Sequence, residues 1–299
     1  MQVALSSVAF PEWTLGKVIR EAARVGYHAV ELRTFGTDST GLASGAAHAG
    51  GVGAIAGDPL LTSADKLKRL AQDAGIEILS LASSIAYDEP IFPPVIGRLR
   101  LDLEESVART KAIVEHATKA GVPFVRVFGY EVQPGEPMNR ALRRILERLD
   151  LAARTTRHTG VRLLMESGGS FSTAAPLKRL ISEASTPNVV AAYNVAGAWL
   201  SGENPVEGIS ELGEHLEVVK LSDVRNGEPR ALGEGDVPVA ETVRALAARG
   251  FSGALVYELP RLWTHRDVEP TPLVETALQR ILTWWGEGQP ATTRAAAAV

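Results

Sequence analysis

The 299-residue chain contains no cysteine. That excludes disulfides, thiolate metal sites and a cysteine nucleophile, while saying little about compartment. It also lacks a charge excess. Lys+Arg 31 stand against Asp+Glu 35, for a net charge of -4, so no basic footprint for nucleic acid is present and polyanions are not expected partners. No apolar run approaches the roughly 18 to 20 residues of a membrane span. The opening MQVALSSVAFPEW has neither a basic n-region nor a long apolar core, so it reads as a first strand and not as a signal peptide. The expectation is a soluble cytoplasmic protein with no membrane partner.

What the chain does have is 45% hydrophobic residues and a regular alternation of apolar runs with amphipathic stretches. The runs are Val3 to Ser6, Ala29 to Leu32, Ile76 to Leu81, Phe124 to Phe128, Arg162 to Met165, Val189 to Tyr193, Glu217 to Leu221 and Ala254 to Tyr257. Between them lie segments such as LGKVIREAARVGY, ADKLKRLAQDAG, SVARTKAIVEHATKAG, NRALRRILERLDLAARTTRHTG and VAETVRALAARG, with apolar residues three and four apart. Gly26, Gly75, Gly121, Gly160 and Gly250 each precede a strand, as glycines that stop a helix in the left-handed conformation do. Eight strand-then-helix repeats predict an α/β fold, a single (β/α)8 TIM barrel over residues 1–285, near the usual size of about 250 residues. No G-x-G-x-x-G follows the first strand, which removes the main reason to prefer an open doubly wound sheet.

Two segments fall outside the repeat. Residues 41–58, GLASGAAHAGGVGAIAGD, are rich in glycine and alanine without periodicity and follow the second strand, which suits a mobile loop over the barrel mouth, either a lid or a loop without a role. Residues 286–299, ending TTRAAAAV, read as a disordered tail.

Four polar residues end four of the apolar runs: Glu166 after VRLLM, Asn194 after VVAAY, Lys220 after LEVV and Glu258 after ALVY. Strand C-termini of a parallel barrel converge on one mouth, where catalysis sits. Two carboxylates, an amide and an ammonium are therefore expected to share a pocket, and a lysine between glutamates can stand in for a metal ion or tune proton transfer. Further candidates for substrate contact are Glu31 and Arg33 at the end of strand two, Arg225 and Glu234 in the loop after strand seven, and Trp199 and Trp263 after strands six and eight. Asp223 joins them, and so does His265, the one histidine of six placed near the mouth. His28, His116, His158 and His215 lie in or beside helices, which disfavours a histidine mechanism. Arg126 faces either into the barrel or outward among helices, with a structural pair the expected role.

GYHAVELR at strand two, LLMESGG at strand five, YNVAGAWLSGENP at strand six, KLSDV with LGEGDVP after strand seven and LVYELP at strand eight together resemble the sugar phosphate isomerase/epimerase superfamily, the xylose-isomerase-like TIM barrels, over residues 1 to about 285. The resemblance implies a divalent metal held by Glu, Asp, His and Glu from strands five to eight, which polarises a hydroxy-carbonyl substrate while a carboxylate moves a proton. Glu166 and Glu258 match the two glutamates. Asn194 stands at the aspartate position, Lys220 at the histidine of an H-x-K-D pattern with Ser222 and Asp223 completing it, and Gly168 where a histidine is often found. The departures conserve charge. The implied ligand set with its ion sums to about -1, and so do two Glu, a neutral Asn and Lys⁺. An ammonium cannot coordinate a cation, so no metal cofactor is expected; a divalent ion at Glu166 and Glu258 is the alternative and would need Lys220 turned away or neutral.

The function expected on this basis is isomerisation or epimerisation of a sugar or cyclitol-like hydroxy-carbonyl compound through an enediolate. Glu166 or Glu258 would act as base, and Lys220, charged between them, would stabilise the oxyanion. A carbon–oxygen lyase of the dehydratase type would use the same enolate. From another class, the chain could be a non-catalytic barrel that binds a partner. A small molecule is the expected ligand, and exposed helix faces would suit a homodimer.

Overall fold

In the computed structural model the described residues are 1–34, 57–89, 105–260 and 269–290. Eight parallel strands close into a barrel: β1 (Gln2–Ser6), β2 (Ala29–Arg33), β3 (Glu77–Ala86), β4 (Phe124–Phe128), β5 (Arg162–Glu166), β6 (Val189–Asn194), β7 (Leu216–Leu221) and β10 (Ala254–Tyr257). β10 pairs with β7 on one side and β1 on the other, which closes the ring. The eight runs and the fold class expected from the sequence are those observed.

Around the ring stand α1 (Leu15–Val25), α2 (Ala64–Ala74), α3 (Glu105–Ala120), α4 (Met138–Arg154), α5 (Ala174–Glu183), α6 (Val195–Leu200), α7 (Pro205–Leu212), α8 (Val239–Ala248) and α9 (Pro270–Gly288). Side chains alternate across each strand. One set, including Val30, Leu32, Val125, Val127, Val219 and Leu255, packs outward against the helices. The other set fills the barrel: Ala4, Ala29, Leu79, Phe124, Leu164, Val190, Val218 and Ala254 form a second apolar cluster. Two residues further along their strands, the same inward parity brings Glu31, Arg126, Glu166 and Lys220 in above that plug. An apolar floor thus excludes water from below, and polar side chains occupy the C-terminal half of the same interior.

Several details differ from the sequence reading. α4 stops at Arg154 rather than running on to Gly160, because the hydroxyls of Thr155, Thr156 and Thr159 bond back to the carbonyls of Ala152, Ala153 and Thr156 at 2.6, 2.8 and 2.8 Å, which competes with helical pairing. The segment after β7, taken as loop, holds an antiparallel hairpin of β8 (Asp223–Arg225) and β9 (Glu228–Arg230). Its Asn226–Gly227 turn has both φ angles positive, 54° and 78°, the conformation that an Asn-Gly pair favours. α9 continues to Gly288, past the boundary expected at 285, with Trp284 and Trp285 packed against the core; residues 291–299 lie outside the described residues. So do residues 41–56 of the segment expected to be either a lid or a loop without a role. Its end is anchored by Asp58, whose carboxylate accepts from the Leu60 N–H at 2.9 Å. No helix among the described residues is long and apolar enough to cross a membrane.

Candidate active site

The centre of the polar layer is the Lys220 ammonium, 1% exposed. Its Nζ lies 2.5 Å from Glu258 Oε2, 2.6 Å from Glu31 Oε1 and 3.5 Å from Glu166 Oε2. Burial opposes the charge, but Glu166, Glu258 and Glu31 outweigh it and hold the lysine above its ordinary value, so it stays protonated. Glu31 lies deepest, with no exposure at all. Its Oε1 also accepts from the Ser6 hydroxyl at 3.1 Å and its Oε2 from the Ser80 hydroxyl at 3.0 Å. Burial pushes the Glu31 carboxyl up, yet Lys220 and Arg126 bring it below the usual range. Ser80 reaches Glu31 because the β2–β3 register slips between Val30 and Glu31, leaving Leu79 as an extra residue on β3.

Glu166 is shared between two cations. Arg126 Nη1 donates to its Oε2 at 3.0 Å, while the arginine Nε donates to the Ser83 carbonyl at 3.0 Å and Nη2 to the Ala82 carbonyl at 3.4 Å. The guanidinium also lies over the Phe128 ring, 5.0 Å from its centroid. Burial works against the Arg126 charge, and Glu166, Glu31 and Glu258 overcome it. Glu258 is the most open member, its side chain 16% exposed. Its contact with Lys220 is charge to charge without a directed hydrogen bond, so its buried Oε2 has no hydrogen-bond partner among the described residues. Three carboxylates and two cations leave the cluster at -3 + 2 = -1.

The structure therefore brings Glu166, Lys220 and Glu258 together as expected, but with a different pairing. Glu31 belongs to the interior and not to the mouth, both its oxygens being taken by Lys220, Ser6 and Ser80. Arg126 faces inward as the partner of Glu166. Its orientation could have been found by parity: β4 and β5 are in register with Arg126 opposite Leu164 and Phe128 opposite Glu166, so even-numbered residues of both strands point inward. The two serines carried no such signal: Ser6 lies opposite Glu31 on the adjacent β1, and Ser80 comes opposite it on β3 only through the one-residue register slip.

The other candidates take local partners, Asn194 among them although it lies opposite Lys220 in the β6–β7 register. Asn194 caps α6, its Oδ1 accepting from the Gly197 N–H at 2.9 Å. Asp223 is 2% exposed and binds backbone: its carboxylate accepts from the N–H groups of Val224, Gly233, Gly235 and Val237 at 2.9, 2.8, 2.9 and 3.2 Å. It shapes the loop after the hairpin. Arg225 and Glu234 are spent in exposed ion pairs with Asp236 and Arg280 at 3.2 and 3.0 Å. Trp199 sits on the short α6, 38% exposed. Arg33 is half-buried at the end of β2, with its backbone N–H bonded to Ser7 Oγ at 2.8 Å. Trp263 and His265 lie outside the described residues. At the rim, Phe128 meets Tyr130 edge to face at 5.7 Å, and Tyr130 is 44% exposed with a left-handed backbone.

A family model described as xylose isomerase-like TIM barrel matches residues 19–284. No curated protein matches significantly. Among solved structures, D-psicose 3-epimerase from Clostridium cellulolyticum H10 is similar at 15% identity and TM-score 0.71, over 95% of this chain and 99% of that one. The IOLI protein with a binding zinc atom is similar at 15% identity and TM-score 0.72, over 96% and 99%. The probable 3-DHS dehydratase AsbF from Bacillus anthracis is similar at 15% identity and TM-score 0.69, over 95% and 99%. At such identities the likeness is one of fold. The divalent ion implied by the family resemblance does not fit the donor set here. A buried ammonium lies against the carboxylates that would bind it, the amide at the aspartate position caps a helix, and the described residues contain no group of three or more His, Asp or Glu arranged to hold a metal.

Proposed function

The chain belongs to the xylose isomerase-like TIM barrel family, and from that premise we propose that it is an enzyme that isomerises or epimerises a sugar or cyclitol-like hydroxy-carbonyl compound through an enediolate. The observation that carries this reading is the pairing of the Lys220 ammonium with Glu258 and Glu166 at the C-terminal end of the barrel, above an apolar floor. A carboxylate there can take the proton from the carbon beside the carbonyl. The C–H electron pair becomes a carbon–carbon double bond as the carbonyl π pair moves to oxygen, and the resulting oxyanion meets the Lys220 charge in a site of low dielectric. Returning the proton to the former carbonyl carbon, with the adjacent hydroxyl proton passing to the first oxygen, isomerises the substrate; returning it to the same carbon from the opposite face epimerises it. Glu166 and Glu258 stand on different strands, β5 and the end of β10, so the pocket offers a carboxylate from each of two directions. Lys220, ringed by three carboxylates that hold it above its ordinary value, acts by its charge, and those carboxylates oppose the neutral amine that a Schiff base needs.

The test is isotope exchange. Ketopentoses, ketohexoses, dihydroxyacetone and a cyclitol ketone are incubated with the protein in D2O, and loss of the carbon-bound proton next to the carbonyl is followed by NMR. Exchange with one of them, reduced about 10²- to 10⁴-fold in Glu258→Gln or Glu166→Gln, is the expected result. If none exchanges, the enolate reading fails. If exchange is accompanied by loss of water and an absorbing unsaturated carbonyl, the reaction is a carbon–oxygen lyase that shares the first step.

A further inference from the structure

We infer that Lys220 is a built-in cation that occupies the place of the family's divalent ion, and that buried Glu31 locks it there, so that the native protein rejects divalent metals at this site. The catalytic use of that charge rests on the reading above. The occupancy does not, and the experiment below reads occupancy alone.

The geometry makes the ammonium and a metal mutually exclusive. A divalent ion bound to Glu258 Oε2 at about 2.1 Å would lie within about 4.6 Å of Nζ, since Nζ is itself 2.5 Å from that oxygen. Two like-charged centres would then share one carboxylate. Lysine side chains are long enough to swing aside in many sites, but here the retreat is blocked. Glu31 is fully buried, reachable by no solvent, and its only cation within ion-pair distance among the described residues is Lys220 at 2.6 Å. Moving the ammonium away would strand that carboxylate in an apolar interior, with only the Ser6 and Ser80 hydroxyls as donors, which is costly for an ionised group.

The rest of the cluster has been adapted to the same end. Arg126, tied to the Ser83 and Ala82 carbonyls, supplies Glu166 with a second fixed cation. Asn194, standing where the resemblance implies a charged ligand, turns its oxygen to the Gly197 N–H. Each site that would have given negative charge to a metal is thus either neutral or already paired. With Lys220 and Arg126 in place the cluster is at -1, and adding a divalent ion without expelling a cation would bring it to +1.

The inference is tested by metal content and thermal melting, neither of which needs a substrate. Wild-type protein should contain Mg, Mn, Fe, Co, Ni and Zn far below stoichiometry, and saturating Mn²⁺ or Co²⁺ should leave its melting temperature unchanged. Lys220→Ala opens a cation-sized hole among three carboxylates. It should melt lower than wild type and be raised by about 5 °C or more on adding Mn²⁺ or ethylammonium, a response that Lys220→Ala/Glu258→Gln loses. Should Lys220→Ala not fold in buffer alone, recovery of its structure by ethylammonium, but not by equal sodium, is the same test. A stoichiometric metal in the wild type, removed by Glu258→Gln, would overturn the inference. So would a Lys220→Ala protein indifferent to both cations, since its cavity would then not be a cation site.

Discussion

Replacing Glu31 by Gln keeps the shape of the side chain and its contacts with Ser6 and Ser80 but deletes the charge facing Lys220. At 2.6 Å and an effective dielectric of about 20, the lost attraction is about 6 kcal/mol. Part of this is returned, because the amide no longer bears the burial cost of an ionised carboxyl, and Lys220 keeps Glu258 and Glu166. Breaking one partner of a buried pair typically costs about 3–5 kcal/mol, and the remaining carboxylates place this case near the lower end. For a chain of this length that is a drop of roughly 5 °C in melting temperature. The effect has a pH signature. Glu31 is held below its ordinary value of 4.5 in the fold, so at pH values just under 4.5 the unfolded chain binds a proton that the native one does not. Its stabilisation is complete above that value and is lost as pH falls through the lower folded value. Thermal melts of wild type and Glu31→Gln across pH should therefore differ at pH 7 and converge in acid. Equal melting temperatures at pH 7, or a gap that persists undiminished into strong acid, would refute the argument that Glu31 is ionised and locked to Lys220.

Asp223→Asn should destabilise the chain by about 2–4 kcal/mol, since four backbone N–H groups converge on the carboxylate. Hydrogen exchange should quicken at the Gly233, Gly235 and Val237 amides, and unchanged protection there would contradict the loop-shaping role. Tyr193→Phe removes a 2.5 Å hydrogen bond to Glu203, which itself accepts from the Ala174 N–H. A loss of about 1–2 kcal/mol in urea denaturation is expected, and none at all would mean that Glu203 is satisfied without the phenol. Because Glu166, Glu258 and Glu31 hold Lys220 above its ordinary 10.5 against the pull of burial, isotope exchange should not decline as pH rises through about 10. A decline there that Lys220→Arg removes would show that the ammonium deprotonates.

The barrel was legible because its signals are local and repeated. Each apolar run found its strand, and Gly26, Gly75, Gly121 and Gly250 have positive φ, as a left-handed helix stop requires; Gly160 shares that conformation but follows the threonine turns beyond α4. Glu166, Lys220 and Glu258 were legible for a related reason: strand ends of a parallel barrel meet at one mouth whatever the loops do. The partners that Asp223 and Asn194 take were not legible, because position at a strand end says nothing about direction. Asp223 turns into the N–H groups of residues 233–237, and Asn194 folds back on its own helix. The β8–β9 hairpin carries its own local signal in Asn226–Gly227, the pair that favours two positive φ angles.

Fold class, strand count and the chemical types gathered at the mouth follow from periodicity and composition, since hydrophobic alternation leaves few ways to bury so many apolar runs. The pairing among those types does not. That Lys220 is held by Glu31 and Glu258 more closely than by Glu166, and that Arg126 belongs to the cluster, depends on the order in which the strands close and on a one-residue slip between β2 and β3. Residues 189 positions apart become partners at 2.6 Å only when the ring is complete. Ion pairing depends on distance and burial, and in this chain both arise from closure of the barrel.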